Sequence, residues 1–329
     1  MRFSFTADQR LLAETVREVL GKTCPPEAVR ASATGDRPGP AWRALAEVGL
    51  LGAHIAEEHG GLGLSPVDTV LAYEETGWFA APGPLVETAV AAPVLLRDDG
   101  TARLEEIAGG TLVVSARPAD APAFPDADLA GLLLVAGPEE EASIIERPVL
   151  ARHGSVDETR PLFTAAVPGP TRSARGRAAF DHAALATAAQ LLGLGRRLRE
   201  DAVGYARQRR QFGKVIGSFQ AVKHLLADVA VGLEFAAPLV YRAAYSLSHD
   251  APTASRDVSM AKNAASQAAH RAARTALQVH GAIGYTDELD LHLWLNRVWA
   301  LRAAWGDEGF HRARLRAALF NEARPARMP

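Results

Sequence analysis

Residues Arg207–Asp228 read RQRRQFGKVIGSFQAVKHLLAD. Three arginines, Arg207, Arg209 and Arg210, stand just before a Phe-Gly break at Phe212-Gly213. A short apolar link then leads to a helix-like run starting at Phe219-Gln220. Guanidinium forks beside a glycine break suit a pyrophosphate, because each arginine can bond two phosphate oxygens at once. A solvated basic helix end followed by a turn is the other reading, since charge runs commonly face water.

Working outward, the C-terminal side is helical almost to the end. Apolar residues recur at helical spacing over 181–208, 217–248, 254–281 and 288–304, with a last helix from about Glu308 to Ala323. Aromatics are only 6% while Ala and Leu are frequent, which favours helices packed on helices through small residues. Stripes of this length predict an antiparallel bundle.

The N-terminal side, 1–108, also reads as helical. Thr6 and Gln9 fit a capping box ahead of Leu11, Leu12, Val16, Val19 and Leu20. Residues 31–40 read as a loop, and Trp42–Val48 as a short helix stopped by Gly49. Ser65-Pro66 with Asp68 announces another helix, and Leu85–Leu96 follows the Pro82 and Pro84 breaks. Between the two helical parts, 109–178 changes character. Thr111–Ala116, Gly131–Ala136, Ser143–Leu150 and Leu162–Val167 are short apolar runs bounded by Pro, Gly and Asp, as strands are. The fold expected is mainly α with a reduced central β-domain and a C-terminal four-helix bundle.

A net charge of -2 gives no bulk attraction to nucleic acid. One cysteine, Cys24, allows no disulfide within the chain, and MRFSFTADQ lacks the pattern of a signal peptide, so a cytoplasmic location is expected. No stretch reads as long and apolar enough to span a membrane, and no metal site is expected.

Three stretches in order resemble the acyl-CoA dehydrogenase family. They are WRALAEVGLLGAHIAEEHGGLGLSPVDTVLAYEETGWFAAPGP from Trp42, RRQFGKVIGSFQAVKHLLAD from Arg209, and QVHGAIGYTDELDLHLWLNR from Gln278 to Arg297. The resemblance implies FAD at a subunit interface. Its pyrophosphate and adenosine half would meet Arg209, Gln211, Phe212 and Gln220, together with Gln278, Val279, His280, Gly281 and Ala282. Arg209 supplies charge and Gly281 allows close backbone approach. His280 is read equally as a flavin contact or as a satisfied helix-end histidine.

Two departures bear on mechanism. The family's reaction takes a proton from the carbon beside a thioester, which needs a carboxylate base. One usual base slot falls on Gly306 and the other on Ala183, and neither residue has a carboxylate. Asp307 and Glu308 adjoin the first slot, either as a shifted base or as caps of the last helix. The Thr-Glu…Gly-Ser-Asp signature that holds the flavin ring is also missing, and PADAPAFPDADLAG (118–131) reads as a loop in its place.

The chain is therefore most similar to the shortened partner in α2β2 heterotetrameric bacterial acyl-CoA dehydrogenases. That resemblance implies a catalytic partner subunit, an acyl-CoA or acyl-carrier thioester, and an electron-transfer flavoprotein as acceptor. Two alternatives are a homo-oligomeric enzyme with a relocated base, and a non-catalytic acyl-thioester-binding scaffold.

Overall fold

The structure, a computed structural model, describes residues 4–35, 37–97, 101–137, 141–146, 148–167, 171–172 and 175–322. It opens with α1 (Ala7–Thr23), α2 (Pro26–Ser32), α3 (Gly39–Glu47) and α4 (Pro66–Trp78). The Thr6–Gln9 box forms as read: Gln9 N donates to Thr6 Oγ1 at 3.2 Å, and Thr6 N to Gln9 Oε1 at 2.9 Å. At α4, Asp68 Oδ2 accepts from Ser65 N at 3.0 Å, and Pro66 fills the first helical position. The expected 31–40 loop is shorter than read, because α2 takes its first residues and α3 begins at Gly39.

The helix read over Leu85–Leu96 forms over 85–95, with a π-helical stretch, Glu87–Ala91, running into α5 (Ala92–Leu95). Pro93 has no N–H to donate, and the hydrogen-bond register widens just ahead of it. A further helix, α6 (Thr101–Ala108), precedes the strands.

Two small sheets follow, built from β1 (Val114–Pro118), β2 (Phe124–Pro125), β3 (Leu132–Ala136), β4 (Glu141–Glu146), β5 (Leu150–His153), β6 (Leu162–Ala165) and β7 (Thr171–Arg172). One sheet has the order β1-β3-β4-β7, with β1 and β3 parallel; the other has the order β2-β6-β5. The single strand read over Ser143–Leu150 is thus two strands in different sheets, interrupted where Pro148 cannot join a ladder. The 118–131 loop holds the short strand β2. Strand β3 shows the two-residue alternation of a buried strand. Leu132, Leu134 and Ala136 join the main helical core, while Leu133 and Val135 join a small core with Phe124, Ile145 and Phe163 between the sheets.

The bundle consists of α7 (Gly176–Gln208), then a hairpin of β8 (Arg210–Gln211) and β9 (Lys214–Val215), then α8 (Gln220–Ser248), α9 (Ala254–His280), α10 (Leu291–Ala303) and α11 (Glu308–Glu322). Helix α7 starts five residues ahead of the expected 181 and is the buried spine of the molecule, packing on α4, α8 and α9. It meets α4 backbone to backbone. A Cβ on Gly193 would lie 1.9 Å from Glu74 O, and one on Gly77 would lie 2.0 Å from Gln190 O. Only glycine permits that approach.

Helix α8 corrects one reading. Over Gln220–Ser248 it is long and apolar enough to cross a membrane by length and composition, with a mean hydropathy of 1.4 in its best window. Scattered polar residues, among them Glu234 and Arg242, hide this in the sequence. Only 28% of that window is buried, and Val231 and Phe235 are 55% and 76% exposed. Its inner face packs on α9 and α7, and its outer face presents an apolar row.

Candidate functional site: a basic strip and a separate cavity

The expected flavin-facing residues come together at one end of the bundle. Arg209 caps the C-terminus of α7, Gln211 lies in β8, and Gln220 begins α8. The Tyr205 and His280 rings stack at 4.4 Å, which ties the end of α7 to the end of α9.

Phe212 and Gly213 form the two-residue loop of the β8–β9 hairpin, both with positive φ, +52° and +78°. Hairpins favour such loops because their twist matches that of the strands, and Asn-Gly is the usual choice. A phenylalanine there is strained, and this one is 90% exposed. Arg207, Arg209, Arg210, Lys214 and Lys223 surround the hairpin and are exposed. Among the described residues none of the five has a carboxylate partner; Lys214 lies over the Phe219 ring at 4.4 Å. This concentration of unneutralised charge fits the pyrophosphate of a dinucleotide.

The third stretch divides. Gln278 and Ala282 are exposed, whereas Val279 and His280 are each 8% exposed. Val279 belongs to the main core, and His280 Nδ1 lies 2.7 Å from Ala276 O within its own helix. Gly281 ends α9 at φ +65°, ψ −140°, a backbone shape open essentially to glycine alone.

A separate cavity of about 470 Å³ lies between the sheets and the α10–α11 loop. Its wall includes Glu87, Arg117, Arg160, Trp305, Gly306 and Asp307. Sequence reasoning missed most of these, because their pairings span long separations. Arg160 Nη2 donates to Glu87 Oε1 at 2.9 Å, and Glu87 is 4% exposed. Arg117 Nη1 donates to the carbonyls of Pro118 at 2.8 Å and Ala119 at 3.1 Å, and to that of Ala121. Both cations are thus engaged within the chain.

Gly306 lines this cavity; Ala183, the other base slot, is fully buried within α7 and does not line it. Asp307 reaches the cavity edge, but its Oδ1 accepts from Phe310 N at 2.8 Å as the N-cap of α11. Glu308 turns away to accept from Arg302 Nη2 at 2.6 Å. Asp307 thus caps α11, while Glu308 pairs with α10.

The strip and the cavity are far apart. Lys262 of α9 bonds Gly306 O at 3.0 Å, and His280 stands eighteen residues further along the same unbroken helix. At 1.5 Å per residue that is about 27 Å.

Residues 6–106 match the acyl-CoA dehydrogenase N-terminal domain, and residues 174–320 match the acyl-CoA dehydrogenase C-terminal domain. The chain belongs to the acyl-CoA dehydrogenase family. It is 34% identical to acyl-CoA dehydrogenase IpdE2 of Mycolicibacterium smegmatis, over 95% of this chain and 99% of that protein. It is 32% identical to acyl-CoA dehydrogenase FadE34 of Mycobacterium tuberculosis, over 82% of this chain and 40% of that protein. Among solved structures, the ChsE4–ChsE5 complex of Mycobacterium tuberculosis contains a chain of the same fold. The TM-score is 0.85 at 21% identity, covering 99% of this chain and 100% of that one. A chain of the Tcur3481–Tcur3483 steroid ACAD is similar at TM-score 0.84 and 23% identity, covering 96% and 98%.

Proposed function

We propose that this chain is one subunit of an FAD-dependent acyl-CoA dehydrogenase made of two different chains. Its basic strip holds the pyrophosphate and adenosine half of a flavin whose ring belongs to the partner. The observation that carries this is the separation of about 27 Å along α9 between the strip and the chain's own cavity. The ribityl chain linking a flavin's pyrophosphate to its ring is too short to cover that distance. A flavin held at the strip therefore extends away from this chain.

When bound, the flavin supplies the acceptor for the two electrons removed from an acyl thioester. This chain's contribution is binding. Arg209 neutralises phosphate charge, Gln211 and Gln220 offer amides, and Phe212 presents an apolar ring to the facing subunit. The carboxylate base comes from the partner: Gly306 and Ala183 have none, Asp307 Oδ1 caps α11, and Glu308 pairs with Arg302 of α10. The apolar outer face of α8 is continuous with the strip through Gln220, and it is covered in the same assembly. Location in the cytoplasm and electron transfer to an electron-transfer flavoprotein complete the reading. The Tcur3481–Tcur3483 protein is described as a steroid enzyme, which makes a ring-bearing acyl thioester the first substrate to try.

The test is to purify the chain alone and together with candidate acyl-CoA dehydrogenase partner chains. The expected result is a colourless lone chain and a yellow complex that reduces its flavin on adding the thioester. A lone chain with a full flavin complement and thioester turnover would overturn the reading.

A further inference from the structure

The α10–α11 loop, Ala304 to Asp307, has two consecutive residues with left-handed backbone: Trp305 at φ +54° and Gly306 at φ +89°. A tryptophan seldom adopts this conformation, and such strain persists only where the surroundings over-determine it. Two fully buried side chains do so here. Lys262 Nζ donates to Gly306 O at 3.0 Å and to Arg302 O at 3.2 Å. His311 Nε2 lies 3.0 Å from Trp305 O, and His311 Nδ1 lies 3.2 Å from Ser259 Oγ. A carbonyl only accepts, so Nε2 carries the proton and Nδ1 accepts from the Ser259 hydroxyl. Burial and the neighbouring Lys262 oppose any charge on the ring, whose pKa is pulled down to about 3.

The imidazole stands where a side chain at 306 would begin. A Cβ built on Gly306 would lie 2.7 Å from His311 Nε2 and 2.7 Å from Phe310 Cδ1. Phe310 is half-buried and can turn aside. The His311 ring is enclosed and tied at both nitrogens.

We propose that His311 is a positioning residue that reserves position 306 for glycine. Together with Lys262 it holds the loop in a shape that a carboxylate at 306 cannot share. The missing base is then a property of the loop's construction, and replacing the glycine alone does not restore it. Regarding 306 as a base slot rests on the proposed function, whereas the steric exclusion does not.

The full chain tests this through thermal unfolding of Gly306→Ala, His311→Ala and the double variant. Gly306→Ala alone is expected to lower the midpoint by roughly 5 °C or more. In the His311→Ala background the same change is expected to cost measurably less, because the steric obstacle is gone and only the strain of φ +89° remains. Equal costs in both backgrounds would overturn the proposal. Should His311→Ala fail to fold, His311→Asn takes its place in the same comparison. A second readout is the labelled His311 ring in NMR. It is expected to keep its Nε2–H tautomer, uncharged, down to pH 5, and a ring that protonates near pH 6 would count against the lock. Failure to find a flavin-sharing partner would sink the subunit reading and leave these midpoints unchanged.

Discussion

The rings of Tyr205 and His280 lie 4.4 Å apart with 31° between their planes, and this contact joins the end of α7, which leads into the basic strip, to the end of α9. An aromatic pair of this kind contributes about 0.5–1.5 kcal/mol beyond its buried area. Tyr205→Leu should lower stability by about that amount in urea unfolding. In the assembled complex it should also lower flavin retention, because β8 and α9 lose their common anchor. Unchanged retention would show that the hairpin and the α9 end act separately.

Arg209 tests the strip directly. Arg209→Ala should weaken FAD binding by the complex about tenfold or more, the equivalent of one charge-assisted hydrogen bond of about 1.5–3 kcal/mol. Arg209→Lys should fall between, since a lysine keeps the charge and loses the fork. Flavin fluorescence during titration of the apo-complex reads both. Equal affinity in all three would remove Arg209 from the site.

Phe212 sets stability against function. Asn tolerates φ +52° where Phe is strained, so Phe212→Asn should stabilise the lone chain by about 0.5–1 kcal/mol. The same change should weaken assembly with the partner. A variant that is less stable by itself would show that the Phe212 ring rests on this chain after all.

These three rest on residues that the sequence shows unequally well. Thr6–Gln9 and Ser65–Asp68 are legible because a cap is made by residues three apart. The long helices are legible from their apolar period. Phe212 is not, because its residue type argues against the backbone it adopts. The Ser143–Leu150 run looks like one strand until sheet pairing divides it. The walls of the cavity are hidden for a different reason. Glu87–Arg160 and Lys262–Gly306 join residues 73 and 44 positions apart, and nothing local in either member signals the other. The resemblance picks out Arg209 and Gly306, and only the folded chain shows that they lie at different ends of α9.

Acid should weaken the fold through His54. It is half-buried, with Nδ1 3.1 Å from Leu64 O, and burial pushes its pKa down to about 4. An unfolded histidine titrates near 6.5. Above that pH both states are neutral and nothing changes. Between pH 6.5 and 4 the unfolded chain takes up the proton first, so stability falls, by about 3 kcal/mol in all. Below pH 4 this residue adds no further loss. Burial lowers His182 in the same direction. Urea midpoints at pH 7.5 and pH 5 check this, and His54→Gln should flatten the difference.

Arg297 fastens α10 to its neighbours. It pairs with Asp157 and donates to Thr159 Oγ1 at 2.7 Å and to Ala81 O at 2.8 Å, all buried. Arg297→Ala leaves the Asp157 carboxylate buried without its cation and should cost about 3–5 kcal/mol. Calorimetry would register this as a large fall in the unfolding midpoint, and a fall of only a degree or two would show that water replaces the guanidinium.

The outer face of α8, with Val231 and Phe235 exposed, sets a demand on timing. If the proposed assembly covers this face, a chain that finishes folding before its partner is at hand carries the row bare, and bare apolar helix faces are where chains stick to one another. Its abundance in a cell then depends less on its own folding rate than on how soon the second polypeptide is made nearby. Producing the two from one message shortens that interval. Producing this chain in excess lengthens it, and the surplus is lost to aggregation or degradation.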